Sequence, residues 1–341
     1  MLKMISLNIY LSINEIMEAE VDELDKRILY ELDLNGRATY SEIGKKLKVS
    51  KERAKYRVQK LEESGIITNY YAVVDQAKLG FSSYRIYIKL ERLGKRGEIE
   101  FIDYLMKQKD IWIIASVSGN FHVAFGVWAR TMWDFQEFWN KMMEQHGDII
   151  TWFQIAPIMS YTEFSRDYLI ESERKIERKA LTTFRRCEPM QVDEVDMKIL
   201  SALCKNARTS LDEIARELGV SLMVVRYRLK KLKESGVLLG FRALIDQRKL
   251  GYDYYKVDVV FGERKRGEEF KKYMLAHPNV AYSEETIQGS DFEFDVHVRG
   301  LGELLEMMGE ARRKFGKTIK QYWYYYMLKM HKTEYIPALP G

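Results

Sequence analysis

Residues 21–81 return, without a gap, as residues 192–252. The segment from Val21 to Leu29 reappears from Val192 to Leu200, and 27 of the 61 aligned positions are identical. Identity at that density between stretches 171 residues apart marks one folded unit used twice. The period is too long for a solenoid, so two large domains, each followed by its own second part, are expected. A chain of 341 residues with 46% hydrophobic content can supply cores for several domains.

Within each copy the first part reads as three helices and a short wing. Ile28, Leu29 and Leu32, matched by Ile199, Leu200 and Leu203, mark the apolar face of a first helix. Thr39-x-x-Glu42 and Ser210-x-x-Glu213 have the spacing of capping boxes that start a second, short helix. A tight turn at Lys48-Val49 or Gly219-Val220 leads to Ser50 or Ser221, either of which can cap a third helix. Ala54, Val58 and Leu61, with Val225, Leu229 and Leu232, give that helix a buried face, and Gly65 or Gly236 ends it. Residues 66–74 and 237–245 then read as a short two-stranded wing. The order predicts a winged helix-turn-helix.

After the wing the period changes. Strands are predicted at 84–90, 111–117, 121–129 and 149–161, with helices at 100–108 and 132–145. The second copy repeats the order at 254–261, 268–276, 280–287, 292–299, 303–315 and 319–326. This βαββαβ order predicts a ferredoxin-like α+β sandwich whose second, apolar sheet face needs the other copy as cover. The run Tyr322-Trp323-Tyr324-Tyr325-Tyr326 is read as strand core and interface. The fold class is therefore α+β, with two winged helix-turn-helix domains and two ferredoxin-like domains in tandem. The expected divisions are an extension at 1–20, domains at 21–81 and 82–170, and a charged linker at 171–190. Domains at 191–252 and 253–333 and a tail at 334–341 follow. The linker carries Arg174, Lys175, Arg178, Lys179, Arg185 and Arg186 and reads as a solvated connector or surface helix, with a DNA-backbone contact as the other option.

Charge is placed, not merely abundant. The net charge is only +5, yet residues 45–60 hold eight cations against the single anion Glu52, a local +7. Such a stripe on the third helix of a helix-turn-helix suits a polyanion, because neutralising phosphates releases counterions. Lys51, Glu52, Arg53 and Tyr56 begin that helix and are expected at base edges, with the cap Ser50 included in the DNA-binding set. Lys45, Lys46, Lys55 and Lys60 are expected at phosphates, and Arg57 completes the DNA-binding set of the first copy. The matching window, 216–231, carries five cations and one anion, a local +4. There Leu222, Met223 and Val224 replace Lys51, Glu52 and Arg53. Ser221, Leu222, Met223, Arg226, Tyr227 and Lys230 are the second-copy candidates, with the aliphatic side chains suited to thymine methyls or to a protein partner.

Other chemistry finds no foothold in the sequence. Cys187 and Cys204 have no metal-ligand or disulfide spacing and read as free thiols in a reducing cytoplasm. No run of eighteen apolar residues, phosphate loop or nucleophile–base motif is present, so no cofactor, metal, membrane span or catalytic residue is expected. His122 and His297 stand alone and read as structural.

The set Leu24-Asp25-x-x-Ile28-Leu29, Asn35-Gly36-Arg37, Ile43-Gly44-x-x-Leu47, Val49-Ser50, Arg57-Val58-x-x-Leu61 and Gly65-Ile66, with its echo in the second copy, resembles the Lrp/AsnC transcriptional regulators. The resemblance covers roughly residues 21–165 and 192–330. It implies a sequence-specific regulator that binds double-stranded DNA, two protomers fused as a covalent pseudo-dimer. It also implies effector sites, often for amino acids, at the turns between the second and third strands of the βαββαβ units. Here those turns offer Ser118, Gly119, Asn120 and His122 in one copy and Gln288, Gly289 and Asp291 in the other. His122 stands where the family has an aspartate, and the second turn is one residue longer. Further assembly into a homo-oligomer and contact with a basal transcription factor are open. Two other readings stay beside this one: an enzyme resembling the siroheme decarboxylases, and an adaptor that recruits a transcription factor through the second winged helix.

Overall fold

The computed structural model describes residues 20–91, 95–170, 178–287 and 290–338; the extension at 1–19 and Arg174, Lys175, Gln288 and Gly289 lie outside them. The first unit opens with helices α1 (Glu23–Leu34), α2 (Tyr40–Leu47) and α3 (Lys51–Glu63). Each start has a sequence cause. Asp22 and Asp25 form a reciprocal cap on α1, Thr39 and Glu42 do so on α2, and Ser50 accepts from the Arg53 N–H on α3. Lys48 adopts the left-handed conformation (φ 56°) that turns α2 into α3. Strand β1 (Ile67–Val74) follows. In the second copy, α6 (Glu194–Lys205), α7 (Leu211–Leu218), α8 (Leu222–Glu234) and β7 (Leu238–Ile245) repeat this order. Ser210 accepts from the Glu213 N–H.

The wing departs from expectation. Neither copy builds its own two-stranded wing; β1 pairs antiparallel with β7, one strand from each copy. Tyr71 pairs with Arg242, two residues that occupy the same place in the repeat, so an approximate two-fold axis passes between them. The surrounding hydrogen bonds are reciprocal. The Gly36 N–H donates to the Phe241 carbonyl at 2.9 Å and the Ala207 N–H to the Tyr70 carbonyl at 2.8 Å. Arg37 donates to the Ala207 and Thr209 carbonyls, and Arg208 to those of Gly36 and Ala38. The approach is close: a Cβ on Gly36 would lie 2.7 Å from the Arg242 carbonyl. A single strand per copy leaves one edge unpaired, and the equivalent strand of the other copy satisfies it.

The second parts hold β2 (Ser82–Leu90), α4 (Lys95–Met106), β3 (Ile111–Ser118), β4 (Val123–Ala129), α5 (Met132–His146) and β5 (Ile150–Phe164) in the first copy. After the linker strand β6 (Ala180–Thr183), the second copy has β8 (Asp253–Phe261), α9 (Gly267–Leu275), β9 (Val280–Thr286), β10 (Phe292–Val298), α10 (Leu301–Phe315) and β11 (Ile319–Thr333). The strands run in the order β2-β4-β3-β11-β8-β10-β9-β5-β6, and a β2–β5 pairing closes the ring. The expected face-to-face sandwich is thus a closed barrel, joined at strand edges. The last strand of each copy is longer than predicted because its second half crosses over: β5 pairs with β9, and β11 with β3. Helices α4 and α5 cover one outer face through Phe101, Leu105, Phe135 and Met142, and α9 and α10 another through Phe270, Met274, Leu304 and Phe315.

The inward face corrects a second expectation, for it is not uniformly apolar. Lys256 lies 2.8 Å from Glu293 and 3.4 Å from Glu284, and Arg85 also pairs with Glu284. Asp258 and Asp295 join them, with Asp258 accepting from the Trp323 indole N–H at 2.9 Å. Burial pushes the Asp258 carboxyl well above the usual carboxylate range and carries Asp295 up to about 6. Closure of the ring keeps these groups from water, so they are held by one another.

The linker is likewise more structural than expected. Arg178 is buried, 3.0 Å from Asp167, and donates to the carbonyls of His277 and Val280 at 2.8 and 2.7 Å. Strand β6 then pairs with β5, and the Phe184 N–H donates to Asp75. Among the described residues, Lys179, Arg185 and Arg186 are exposed and keep the character of a solvated connector.

Candidate nucleic-acid interface

Helix α3 has two sharply different faces. Ala54, Val58 and Leu61 are buried against α1 and α2, which fixes the direction of everything opposite. Lys51, Glu52, Arg53, Lys55, Tyr56 and Lys60 face solvent, as do Ser50 at the cap and Lys45 and Lys48 just before it. Among the described residues, none of the cations Lys45, Lys48, Lys51, Arg53, Lys55 and Lys60 makes an ion pair within the protein. Tyr56 is 64% exposed and projects from the same face. The result is a convex ridge of free cations with an aromatic ring among them.

Two members of the expected set are placed otherwise. Lys46 pairs with Glu31. Arg57 reaches back to the start of α1, 2.8 Å from Asp22 and 3.0 Å from Asp25. Burial pulls the Arg57 guanidinium down, yet the two aspartates outweigh it and leave its pKa above the ordinary value. That side chain ties α3 to α1 and is not free for a phosphate. Lys48 joins the ridge although it is not in the expected set; it lies inside the +7 window, and its left-handed turn is what exposes it.

Helix α8 repeats the scaffold with a different outward face. Ser221 caps it through the Val224 N–H at 3.3 Å, and Arg228 duplicates the Arg57 tie, 2.6 Å from Asp193 and 3.0 Å from Asp196. Leu222 is half-buried and packs onto the helical core, so it is not an outward contact. Met223 and Tyr227 are 71% and 69% exposed, Val224 is exposed beside them, and Arg226 shares the face. Lys230 is exposed and lies 3.7 Å from Glu234.

The two turns expected to hold effectors are built differently from each other. Ser118, Gly119 and Asn120 are exposed, and Gly119 (φ 135°) sits where a Cβ would lie 3.3 Å from the Tyr325 ring of the other copy. His122 accepts from the Leu90 N–H at 3.1 Å through Nδ1. In the second turn Asp291 accepts from the Phe261 N–H at 2.8 Å and pairs with Arg264 at 3.1 Å. Gln288 and Gly289 lie outside the described residues. His297 is buried, bonded through Nδ1 to the Tyr168 hydroxyl at 2.9 Å, and burial holds its pKa well below the ordinary value.

Among the described residues no group of three or more metal-ligating side chains converges, and no helix is long and apolar enough to cross a membrane. Both cysteines are free thiols, Cys204 buried and Cys187 half-buried.

Comparison with known proteins agrees with this geometry. A family model described as winged helix-turn-helix DNA-binding matches twice, at residues 21–68 and 192–238. The chain is similar to the regulatory protein AsnC of Haemophilus influenzae, 45% identical over 62 residues, which are 18% of this chain and 41% of that protein. It is similar to the proline dehydrogenase transcriptional activator of Rhodobacter capsulatus, 30% identical over 122 residues, 35% of this chain and 79% of that protein. The chain spans 41–62% of the length of the first three relatives matched. Among solved structures, the siroheme decarboxylase NirDL superposes with a TM-score of 0.64 at 16% identity, over 94% of this chain and 95% of that one. That likeness shows a shared fold.

Proposed function

We propose that this chain, which belongs to the Lrp/AsnC family of transcriptional regulators, binds duplex DNA sequence-specifically as a covalent pseudo-dimer. The observation that carries the reading is the outward face of α3, where free cations and Tyr56 stand on a helix held rigidly by its other face. In a helix-turn-helix that face enters the major groove; Lys51, Glu52 and Arg53 meet base edges while Lys45, Lys55 and Lys60 neutralise phosphates. The β1–β7 ribbon and its reciprocal hydrogen bonds support two such units acting on one duplex. The chain carries out no chemical step in this reading, resides in the cytoplasm with the DNA, and takes any small-molecule effector, such as an amino acid, at the turns near Gly119 and Asp291.

The test is a selection of bound duplexes from a random pool, followed by binding measured against salt. Enrichment of one motif and an affinity falling steeply with salt are expected. No enrichment, or binding indifferent to salt, overturns the reading.

The exposed Met223, Val224 and Tyr227 favour a second role for α8, contact with a protein of the transcription machinery. Pull-down of purified basal factors by the intact chain and by Met223→Glu distinguishes this from thymine-methyl contact.

A further inference from the structure

Between the β1–β7 ribbon and the barrel lies a cavity of about 280 Å³ that neither the recognition helices nor the effector turns use. Its walls are ring-rich. Trp112 and Trp128 stack at 6.1 Å with planes 15° apart, Tyr161 meets Trp112 edge-on, and Tyr71 stacks on Tyr335 at 3.8 Å. These rings are fixed before any ligand arrives. The Trp112 indole donates to Ser83 Oγ at 3.0 Å, Gly126 leaves the room that the Trp112 ring fills, and the Tyr71 hydroxyl donates to Glu163 at 2.8 Å. Preorganised aromatic walls lose little entropy on binding.

The buried charges at the cavity decide what it excludes. Glu163 lies 3.5 Å from Arg242, Arg242 is 2.7 Å from Asp33, and Arg166 pairs with Asp33 and donates to the Tyr282 hydroxyl at 3.1 Å. These two guanidiniums and two carboxylates balance, and the other charged groups of the lining, Asp246 with Arg248 and Lys329 with Glu334, add equal numbers of each sign. No net charge is left for an ionic ligand, whose desolvation would go uncompensated. Size sets the other bound. A cavity of about 150 Å³ lined by apolar side chains takes benzene; this one has roughly twice that room, enough for one or two rings and too little for a tetrapyrrole. The sequence made the site by breaking its own repeat. Tyr71 stands where the second copy has Arg242, and Cys204 where the first has Asp33, so one side of the axis is charged and the other aromatic.

We propose that this cavity is a binding site for a neutral, planar molecule of one or two aromatic rings. Such a molecule stacks against Trp112, Trp128 and Tyr71 and lies directly under the ribbon that joins the two helical units.

The probe is indole, titrated into the full chain without DNA by calorimetry, so that the outcome is independent of the DNA reading. One saturable site per chain is expected, with benzoate and benzylammonium at least about ten-fold weaker, the cost of bringing a charge into a balanced pocket. Indole also raises the melting temperature of the unaltered chain, since it binds only the folded form. Thr183→Trp and Val73→Phe fill the cavity from the barrel and from the ribbon; either one that melts as the parent does should weaken indole about ten-fold or more. Four results overturn the proposal: no saturable binding and no melting shift in the unaltered chain, ions bound as well as indole, a folded filling variant that binds as before, or an iron porphyrin held in the same cavity.

Discussion

Arg53 and Arg57 are four residues apart on one helix and equally cationic, yet their surroundings give them different jobs. Arg53 is exposed and unpaired within the protein, whereas Arg57 closes an ion pair on the buried Asp25. Changing Arg53 and Lys55 together to alanine should weaken duplex binding by about 1–3 kcal/mol for the base edge that Arg53 no longer meets, lower the salt dependence through the lost Lys55 phosphate contact, and leave the melting temperature in place. Arg57→Ala should do the reverse, lowering stability by about 1–3 kcal/mol by leaving Asp25 without its partner. Fluorescence anisotropy and thermal melts on the same samples check both; a stable Arg57→Ala protein with weakened affinity would return Arg57 to the DNA face. A pH effect belongs to the barrel acids. Asp295 has its carboxyl raised to about 6 and burial raises Asp258 well above its ordinary value, so the folded chain holds protons that the unfolded chain releases. The Asp295 contribution to stability should therefore fall as pH rises from about 4 through 6, the window between its unfolded and folded values, and Asp258 acts in the same direction. Asp33 and Glu284, both lowered, act in the opposite direction below about 4. Asp258→Asn should flatten the upper slope and stabilise the chain at neutral pH; a melt series from pH 4 to 8 with unchanged slope counts against it. Residue identity made the cationic ridge legible in the sequence, but not the withdrawal of Arg57, Lys46 and Leu222, which depends on partners far along the chain.

Helices α3 and α8 share a scaffold and differ in what they present. The shared part was readable because it repeats at helical spacing: the Ser50 and Ser221 caps, the buried triplets and the Gly65 and Gly236 ends all fall where the periodicity puts them. Strand ends were not readable. β5 and β11 run to Phe164 and Thr333, beyond the predicted 161 and 326, because their extensions are paired by strands of the other copy and not set by local pattern. The wing failed for the same reason, since β1 finds its partner in β7. Polar alternation at Lys256 and Asp258 was a visible signal that the inner face is not oily, outweighed by the aromatic richness around it. At this scale the unequal helices predict an asymmetric operator. α3 offers hydrogen-bonding side chains for direct readout, and α8 offers Met223 and Val224, which sense methyls and shape. If both engage one duplex, half-sites lie about one helical turn apart, with stronger base preference in the half under α3. Met223→Glu with Val224→Arg, leaving the packed Leu222 alone, should make selected sites more palindromic. A palindrome selected by the unaltered protein, with one chain per duplex, would overturn the asymmetry.

Fusion of two similar halves raises the question of why a first half pairs with a second and not with another first. The inner charges supply an answer. On the first half, Ala124 and Gly126 stand at the barrel positions that Glu293 and Asp295 occupy on the second, opposite Tyr87 and Arg85 in the same register that sets Glu293 and Asp295 opposite Asp258 and Lys256. Two first halves would bring two Arg85 guanidiniums inside with no Glu284 to receive them. Two second halves would gather both sets of carboxylates around two lysines. Only the mixed pair balances Arg85 against Glu284 and Arg166 and Arg242 against Asp33 and Glu163. An uncompensated buried charge costs several kcal/mol, so the mixed barrel is selected by what the alternatives would bury. The intact chain should therefore unfold with a midpoint independent of protein concentration, because both partners arrive on one polypeptide. Split within the linker and produced as two chains, the halves should find each other, and the melting midpoint of their complex should rise with concentration. Native mass spectrometry of the mixture should show the mixed pair and few pairs of like halves. Like pairs in abundance, or halves that stay folded and monomeric, would show that barrel closure and its charge pairing do not hold this molecule together.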